Sequence, residues 1–230
     1  MDSFPQGYRA LVIGASGGIG SAFVRRLKAD PRCACVTGLS RRADGLDVTD
    51  EGSIADAAAR LGDSRFELIL CAIGRLVIGG NGPEKTIRAL APQAMAAQFA
   101  LNAIGPALLL KHFAPKLARP QRSVFACLSA RVGSIGDNRL GGWISYRAAK
   151  AALNQIVRTA AIEIGRSQPQ AVVAALHPGT VETSLSDAYS KGRDRLTPDD
   201  SAARMLAVLD GLSPADSGSF FAYDGTPVEW

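Results

Sequence analysis

The sequence predicts an α/β protein built on one doubly wound parallel sheet of about seven strands, with helices on both faces. Two observations lead to this fold class. Short apolar runs alternate with longer segments of helical periodicity, a pattern that is typical of right-handed βαβ crossovers. A glycine-rich turn also joins the first apolar run to the first helical segment. Because ligands bind beyond the carboxyl ends of the strands in such sheets, we expect the functional site at that edge.

Composition limits the number of domains and the classes of partner. The 230 residues are 47% hydrophobic and 20% charged, which is ordinary for a globular chain, and we expect one domain over residues 1–230. The formal net charge is +5, but no run of five like charges occurs. Neither a nucleic-acid nor a membrane partner is therefore expected.

The strands are predicted from five apolar runs. Each run is too short for a buried helix and too continuous for a strand with one exposed face, so we expect burial on both faces. The runs span residues 8–14, 33–40, 66–74, 122–129 and 171–179.

The helices are predicted between and after these strands. Residues 83–118 contain Pro92, Gly105 and Pro106, so this long segment is expected to be two helices or one kinked helix. The predicted helices span residues 18–29, 53–61, 83–118, 143–166 and 199–209.

The four cysteines are predicted to be buried, reduced thiols. Cys33, Cys35, Cys71 and Cys127 lie in predicted strands, and free cysteine behaves as a small hydrophobic residue. Cys33 and Cys35 form a C-x-C pair without further ligands at a zinc-binding spacing, so no metal site is expected.

The N-terminal stretch lacks the pattern of a signal peptide, and we expect a cytoplasmic protein.

The first predicted strand runs into "GASGGIG", residues 14–20, which opens the first helix. Gly14, Gly18 and Gly20, with Ser16 and Ile19 between them, suit a tight turn that approaches a pyrophosphate closely. The helix N-terminus offers free N–H groups to the phosphates. No lysine follows the last glycine, so phosphoryl transfer is not indicated. The turn predicts a Rossmann-type dinucleotide site.

The second predicted strand ends at Ser40, Arg41 and Arg42, and no carboxylate follows until Asp44. A dinucleotide site needs an acid here to bind a ribose 2′-hydroxyl, or an arginine to bind a 2′-phosphate. Because a guanidinium grips phosphate in bidentate fashion, NADP(H) is favoured over NAD(H). The alternative is that both arginines only face solvent.

Tyr146 and Lys150 stand one helical turn apart in a predicted helix, so their side chains share a face. A nearby ammonium stabilises a phenolate and lowers the tyrosine pKa, and its three donors can also hold ribose hydroxyls. The pair therefore indicates proton transfer beside a nicotinamide. By itself Y-x-x-x-K is common on surface helices, and its meaning here depends on the glycine turn upstream.

Together these motifs resemble the short-chain dehydrogenase/reductase family over nearly the whole chain. "GASGGIG" is similar to the family's glycine motif, "LDVTD" at 46–50 to its acidic turn against adenine, and "YRAAK" at 146–150 to its catalytic helix. "HPGTVET" at 177–183 resembles the segment that faces the nicotinamide. Residues 134–154 and the ending "GSFFAYDG" resemble the C-factor-like carbonyl reductase branch.

The resemblance implies roles for individual residues. Tyr146 would protonate the carbonyl oxygen, Lys150 would lower the tyrosine pKa and hold the ribose, and Asn102 would kink its helix and anchor a water that relays protons to Lys150. The asparagine that the family often carries after the fourth strand is replaced here within "CAIG", which puts one side-chain contact in question while Gly74 still allows the backbone to approach the cofactor. The remaining implied cofactor contacts are Asp47, Val48, Ala72, Ile73, Gly74, Pro178, Gly179, Val181 and Thr183.

The strand end "LSARVG" departs from the family pattern S-S-x-x-G. Ser129 matches the first serine, while Ala130 occupies the second position, whose hydroxyl usually donates to the substrate carbonyl. Three alternatives stay open. Ser129 acts after a local twist or bulge, Ser134 folds back from the following loop, or no serine acts and Tyr146 works with water.

The sequence thus predicts an NADPH-dependent oxidoreductase that transfers hydride between nicotinamide and a small carbonyl or quinonoid substrate, with Tyr146 as general acid and base. The alternative is a cofactor-binding signalling protein of C-factor type without significant turnover. The segment at about 183–198 is expected to cover the substrate, and its basic residues favour an anionic one. The resemblance also implies a homodimer or homotetramer.

Overall fold

A six-stranded parallel sheet forms the centre of the molecule. The structure is a computed structural model, and it describes residues 1–183, 189 and 194–230. In space the strands follow the order β2-β1-β3-β4-β5-β6, and each neighbouring pair is parallel. Their bounds are β1 (Tyr8–Ile13), β2 (Cys33–Leu39), β3 (Leu68–Cys71), β4 (Ser123–Leu128), β5 (Ala171–His177) and β6 (Phe220–Ala222).

Helices cover both faces of this sheet. Leu11 and Ile13 of β1 face one core, and Ala10 and Val12 face the other, because successive side chains of a strand point to opposite faces. Burial on both sides explains why the central strands are continuous apolar runs. Within the described residues, the α-helices are α1 (Gly18–Ala29), α2 (Arg41–Asp44), α3 (Glu51–Arg60), α4 (Pro92–Phe99), α5 (Gly105–Phe113), α6 (Ile144–Ser167) and α7 (Pro198–Gly211).

The predicted parallel α/β sheet is confirmed, but the expected number of strands is wrong for the described residues. Six strands form there instead of about seven. All five apolar runs contain a strand, although the run at 66–74 contributes only Leu68–Cys71. The sixth strand lies within "GSFFAYDG" and is three residues long, which is too short to show a periodicity.

Strand β2 corrects the expectation that every strand is buried on both faces. In the described part of the chain it pairs only with β1, and Ala34 and Cys35 are exposed at this edge of the sheet. Cys33 is half-buried, whereas Cys71 and Cys127 are buried; all four thiols are free. Apolar composition alone does not distinguish an edge strand from a central one.

The long segment at 83–118 is interrupted, as predicted, but its helix begins later than expected. A loop and the 3₁₀ turn Ile87–Ala89 come first, and α4 begins at Pro92, where a missing N–H breaks no helical bond. The π-helical turn Ala100–Ile104 then joins α4 to α5. Gly105 and Pro106 follow this turn directly. Both residues disfavour regular α-helical bonding, which explains why the helix is interrupted at this point.

The stretch Pro92–Lys116 also has the length and hydropathy of a membrane-spanning helix. In the structure α4 and α5 pack against α6, and α5 packs against α3. The side chains of Leu109, Leu110 and Phe113 are buried in the core on that side of the sheet. The buried apolar face belongs to α5, since Gln98 is the only buried residue of α4. A helix that packs in a protein core passes the same test of length and hydropathy.

A candidate active site at the carboxyl ends of the strands

A cavity of about 690 Å³ opens at the carboxyl ends of the strands, bounded by the glycine turn, the ends of β3, β4 and β5, and the start of α6. It gathers the greater part of the predicted site. The predicted residues on its wall are Gly18, Ile19, Gly20, Ala72, Ile73, Gly74, Ser129, Tyr146, Lys150, Pro178, Gly179, Val181 and Thr183. Those outside this wall are Gly14, Ser16, Ser40, Arg41, Arg42, Asp47, Val48 and Asn102. Most of the segment predicted to cover the substrate, at about 183–198, lies outside the described residues.

The glycine turn leaves room only for hydrogen at its tightest points. Gly14 has φ +90°, and a Cβ there would lie 2.7 Å from the carbonyl oxygen of Ala72. A Cβ on Gly20 would overlap the carbonyl oxygen of Gly14. Helix α1 begins at Gly18, so the first N–H groups of α1 have no partner within the helix. This cradle of free donors fits a dinucleotide pyrophosphate.

The end of β2 lies beside this turn. Its last residue, Leu39, accepts hydrogen bonds from the N–H groups of Gly14 and Ala15 at 2.8 and 3.1 Å. The Ser40 hydroxyl that follows accepts from the Ala43 N–H at 3.1 Å and caps α2. Arg41 and Arg42 in that helix are exposed. Both guanidinium groups are thus exposed beyond the carboxyl end of β2.

The acidic turn packs against the helix that carries Asn102. Asp47 accepts from the N–H and hydroxyl of Thr49 at 2.9 and 2.6 Å, and these bonds hold its pKa below the ordinary value. A Cβ on Gly105 would lie 2.7 Å from the carbonyl oxygen of Val48. The glycine after the π-helical turn therefore permits the close approach of this turn.

Tyr146 and Lys150 are enclosed in the wall of the cavity, with 6% and 2% of their surface exposed. Burial raises the pKa of Tyr146. A buried phenolate loses its hydration, and the Lys150 Nζ donates to the carbonyl oxygen of Leu128 at 2.9 Å; the lowering of the Tyr146 pKa by Lys150 stays a prediction. A tyrosine is a neutral phenol at physiological pH even in water, and burial favours that form further, which suits a proton donor.

The pKa of Lys150 is lowered, and this predicts that the cofactor dependence of the reaction changes with pH. Burial lowers its pKa to about 8, against a smaller opposing effect of the Cys71 and Cys127 sulfurs. We expect kcat/KM for the cofactor, which reports the free enzyme, to fall as pH rises through about 8 and the ammonium is lost. Steady-state rates across pH test this. Lys150→Arg keeps its charge at high pH, so the same decline in this variant would contradict the assignment.

Asn102 joins the π-helical turn to the loop after β3. Its side chain is fully buried; Oδ1 accepts from the Arg75 N–H at 3.0 Å, and Nδ2 donates to the Arg75 carbonyl at 2.9 Å. Nδ2 also donates to Oε1 of Gln98 at 2.7 Å. A Cβ on Gly74 would lie 3.3 Å from Lys150 Nζ and 3.6 Å from Asn102 Oδ1. The structure therefore brings Asn102 and Lys150 together around Gly74.

The structure separates the two candidate serines. Ser129 lines the cavity, and its hydroxyl donates to Oδ1 of Asn154 at 2.6 Å. The Nδ2 of Asn154 is buried without a partner in the described part of the chain, so rotating this amide would free the serine hydrogen for a substrate. The Ser134 hydroxyl accepts from the Asp137 N–H at 3.1 Å and lies outside the cavity wall.

These positions predict different effects of removing each hydroxyl. We expect Ser129→Ala to lower kcat by about 10²-fold, the size of a lost oxyanion donor, whereas Ser134→Ala leaves kcat nearly unchanged. Steady-state kinetics with one carbonyl substrate would measure both effects. An unchanged kcat in Ser129→Ala as well would leave only the site without a serine.

Glu84 caps helix α6, a role that no local pattern indicates. Its carboxylate accepts from the N–H of Ser145 at 3.2 Å and from the Ser145 hydroxyl. Its carbonyl oxygen accepts from the N–H of Trp143 at 2.5 Å. Glu84 lies some 60 residues before this helix in the chain and only 8% of its surface is exposed, so only the tertiary fold shows the contact.

The turn before α6 presents an aromatic wall to the cavity. The backbone of Trp143 has φ +54°, a left-handed conformation that residues other than glycine rarely adopt. Gly141 and Gly142 before it are also left-handed. Its ring meets those of Tyr146 and Tyr189 edge to face, with centroids 6.5 and 5.6 Å apart. Strained backbone of this kind persists where the surroundings hold it in place.

Comparisons of the sequence with known proteins agree with this geometry. A family profile described as enoyl-(acyl carrier protein) reductase matches residues 33–223. The chain is 39% identical over 138 residues to C-signal of Myxococcus xanthus, covering 59% of this chain and 78% of that protein. It is 30% identical over 232 residues to 1-hydroxy-2-glutathionyl-2-methyl-3-butene dehydrogenase of Rhodococcus sp. (strain AD45), covering 96% of this chain and 98% of that protein.

Solved structures share the fold over nearly the whole chain. NADPH-bound carbonyl reductase from chicken fatty liver is similar with a TM-score of 0.83 and 30% identity, covering 99% of this chain and 96% of that one. Carbonyl reductase Sniffer of D. melanogaster is similar with a TM-score of 0.81 and 19% identity, covering 98% and 100%. At its lower identity, the second likeness shows the fold alone.

Proposed function

This chain belongs to the short-chain dehydrogenase/reductase family, and from that premise we propose that it is an NADPH-dependent reductase of small carbonyl compounds with Tyr146 as the proton donor. Family membership makes the chain an NAD(P)-dependent oxidoreductase. The observation that carries the finer proposal is the buried Tyr146 next to Lys150 on the wall of a cavity that also includes the glycine turn.

Tyr146 supplies the proton of the reaction. A nicotinamide cofactor, when bound, supplies the hydride. As negative charge develops on the carbonyl oxygen, the Tyr146 O–H bond breaks and the proton moves to that oxygen, so the product is an alcohol. Lys150 has three donors, of which one is bonded to Leu128. The other two serve a ribose hydroxyl and the path by which Tyr146 regains its proton.

The relatives support carbonyl–alcohol interconversion and the choice of NADPH. The Rhodococcus relative is by its name a dehydrogenase of a glutathionyl-bearing alcohol, and the chicken structure is a carbonyl reductase with NADPH bound.

The activity is tested by mixing the purified protein with NADPH and a panel of aldehydes, ketones, quinones and pterins while following cofactor absorbance. We expect turnover with at least one carbonyl compound. Binding of NADPH without turnover of any member of the panel would contradict the proposal.

The choice of NADPH over NADH predicts a selective effect of the exposed arginines. We expect the double variant Arg41→Ala, Arg42→Ala to raise KM for NADPH by about tenfold or more, since a lost bond between charged groups is worth about 1.5–3 kcal/mol, and to leave KM for NADH unchanged. Arg88→Ala, an exposed arginine outside the cavity wall, is the control. An equal effect on both cofactors would contradict phosphate recognition.

A second function is favoured by one observation, the 39% identity to C-signal. In that function the chain binds the cofactor and signals without significant turnover. The two functions differ in one measurement, since a signalling protein binds NADPH in a titration but does not consume it with the carbonyl panel.

We also propose that the chain forms a homodimer or homotetramer through its long helices. Ile104, between α4 and α5, and Ile162 in α6 are 53% and 51% exposed. Membership of this family supports the proposal, and covering these two side chains with a partner subunit would remove apolar surface from water.

A further inference from the structure

The cavity wall carries an excess of positive charge near the start of α6. Arg131, Arg139 and Arg147 line it, and among the lining residues that the structure describes Asp137 is the only acid. Asp137 is paired with Arg131, at 3.8 Å between Oδ2 and Nη1. Arg139 therefore lines the cavity without an ion pair inside the described ranges, and Arg147 has only a longer-range electrostatic interaction with Asp137.

Arg147 is held in place, so its position on the wall is defined. Its Nε donates to the carbonyl oxygen of Gly142 at 3.0 Å, and its Nη1 donates to that of Val132 at 3.2 Å. Its Nη2 has no partner among the residues with described positions. A guanidinium that is already fixed loses little entropy when it binds an anion. Arg139 is exposed and can close on the same ligand.

An apolar surface lies beside these two cations. Trp143 forms an edge-to-face pair with Tyr146, and Leu140, which is 82% exposed, lines the same cavity. An exposed leucine and an indole on a cavity wall suit a flat, apolar body. The wall thus offers a surface for an aromatic group and cations for a negatively charged one.

The fixed cation points away from Tyr146, beside which the carbonyl would react. Arg147 follows Tyr146 directly in α6, and at 3.6 residues per turn successive side chains leave a helix about 100° apart. The Arg147 guanidinium bonds instead to the carbonyl oxygens of Gly142 and Val132. An anion bound by Arg147 and Arg139 would therefore be separated from the carbonyl by the body of the substrate.

We propose that the substrate is an aldehyde or ketone whose aromatic body bears a carboxylate remote from the carbonyl, with Arg147 and Arg139 binding the carboxylate. The proposal rests on the proposed reductase function. In the reaction the carbonyl carbon takes a hydride from NADPH and the oxygen takes a proton, which yields the alcohol and NADP⁺. The carboxylate is unchanged and serves recognition.

The test compares 4-formylbenzoate with its methyl ester as substrates of the full chain. We expect kcat/KM to be about tenfold or more higher for the acid, as a bond between charged groups allows, and this preference to weaken with added salt. The ester is the more electron-withdrawing group, so intrinsic reactivity would favour the ester. Phenylglyoxylate, whose carboxylate adjoins the carbonyl, should be the poorer acid substrate.

Substitution of the two arginines tests whether they cause the preference for the acid over the ester. We expect Arg139→Gln and Arg147→Gln each to lower the ratio of kcat/KM for acid over ester, and Arg166→Gln, an exposed arginine near the far end of α6, to keep it. Arg139 has no hydrogen bond in the described structure, so its variant remains informative if Arg147→Gln fails to fold.

The outcomes separate the two proposals. Equal kcat/KM for acid and ester, or a ratio that both variants leave intact, overturns the carboxylate site while the reductase function stands. Reduction of neither compound, nor of any carbonyl in the wider panel, overturns the reductase function and the carboxylate site with it.

Discussion

Tyr146→Phe is expected to lower kcat for carbonyl reduction by about 10²- to 10⁴-fold, the usual contribution of a general acid, with NADPH affinity nearly unchanged. The phenylalanine keeps the ring that packs against Trp143 and removes only the proton donor. The effect should fall on kcat because the proton is needed in the transition state and not in cofactor binding.

Steady-state kinetics measure this loss, and a fluorescence titration measures NADPH affinity. Tyr8→Phe is the matched control. Tyr8 is also buried, but its hydroxyl donates to Asp30 at 2.9 Å. Tyr8 is the first residue of β1 and so lies at the amino ends of the strands, away from the cavity. Tyr8→Phe should reduce stability without changing kcat. Full activity in Tyr146→Phe would refute the mechanism.

Gly20→Ala is expected to lower the free energy of unfolding by about 1–3 kcal/mol or more, the range for overpacking a closely packed site, and to weaken NADPH binding. The new Cβ would overlap the carbonyl oxygen of Gly14. Backbone atoms cannot rotate away as a flexible side chain can, so helix α1 must shift from β1. That shift would also displace the first-turn N–H groups from the pyrophosphate.

Gly165→Ala is the matched control, because Gly165 also lies within a helix and a Cβ there would meet nothing within 4 Å. Alanine stabilises a helix interior by about 0.5–1 kcal/mol relative to glycine, so this variant should be slightly more stable than the parent. Urea unfolding and a cofactor titration measure both variants. A Gly20→Ala protein with parental stability and affinity would show that the turn is not tightly packed.

The order of helices and strands could be predicted well where the pattern depends on local geometry. Helix α1 is found at the predicted bounds, Gly18–Ala29, because a glycine turn and a helical periodicity mark both of its ends. The exposure of Cys35 in β2 was not predictable, since it depends on what pairs with the other edge of that strand. The start of α4 at Pro92 was missed because Glu84 bonds to Trp143 and Ser145 and residues 87–89 form a 3₁₀ turn instead of an α-helix.

The candidate site also has residues that the sequence predicts and contacts that it does not. Residues 14–20 and the pair Tyr146 and Lys150 were found from the sequence, since their spacing within one turn or one helix determines their geometry. The bond from Ser129 to Asn154 and the cap by Glu84 join residues 25 and 61 positions apart, and no local spacing encodes them.

The sequence by itself determined a parallel α/β fold, a dinucleotide turn and a tyrosine–lysine pair, because each is specified by short-range periodicity and backbone conformation. Only the tertiary structure decided that Tyr146 is buried, that Ser134 lies off the cavity wall, and that Arg147 lines the cavity. The physical reason is that pKa values, hydrogen-bond partners and cavity walls depend on burial and on which distant residues meet at the carboxyl edge of the sheet.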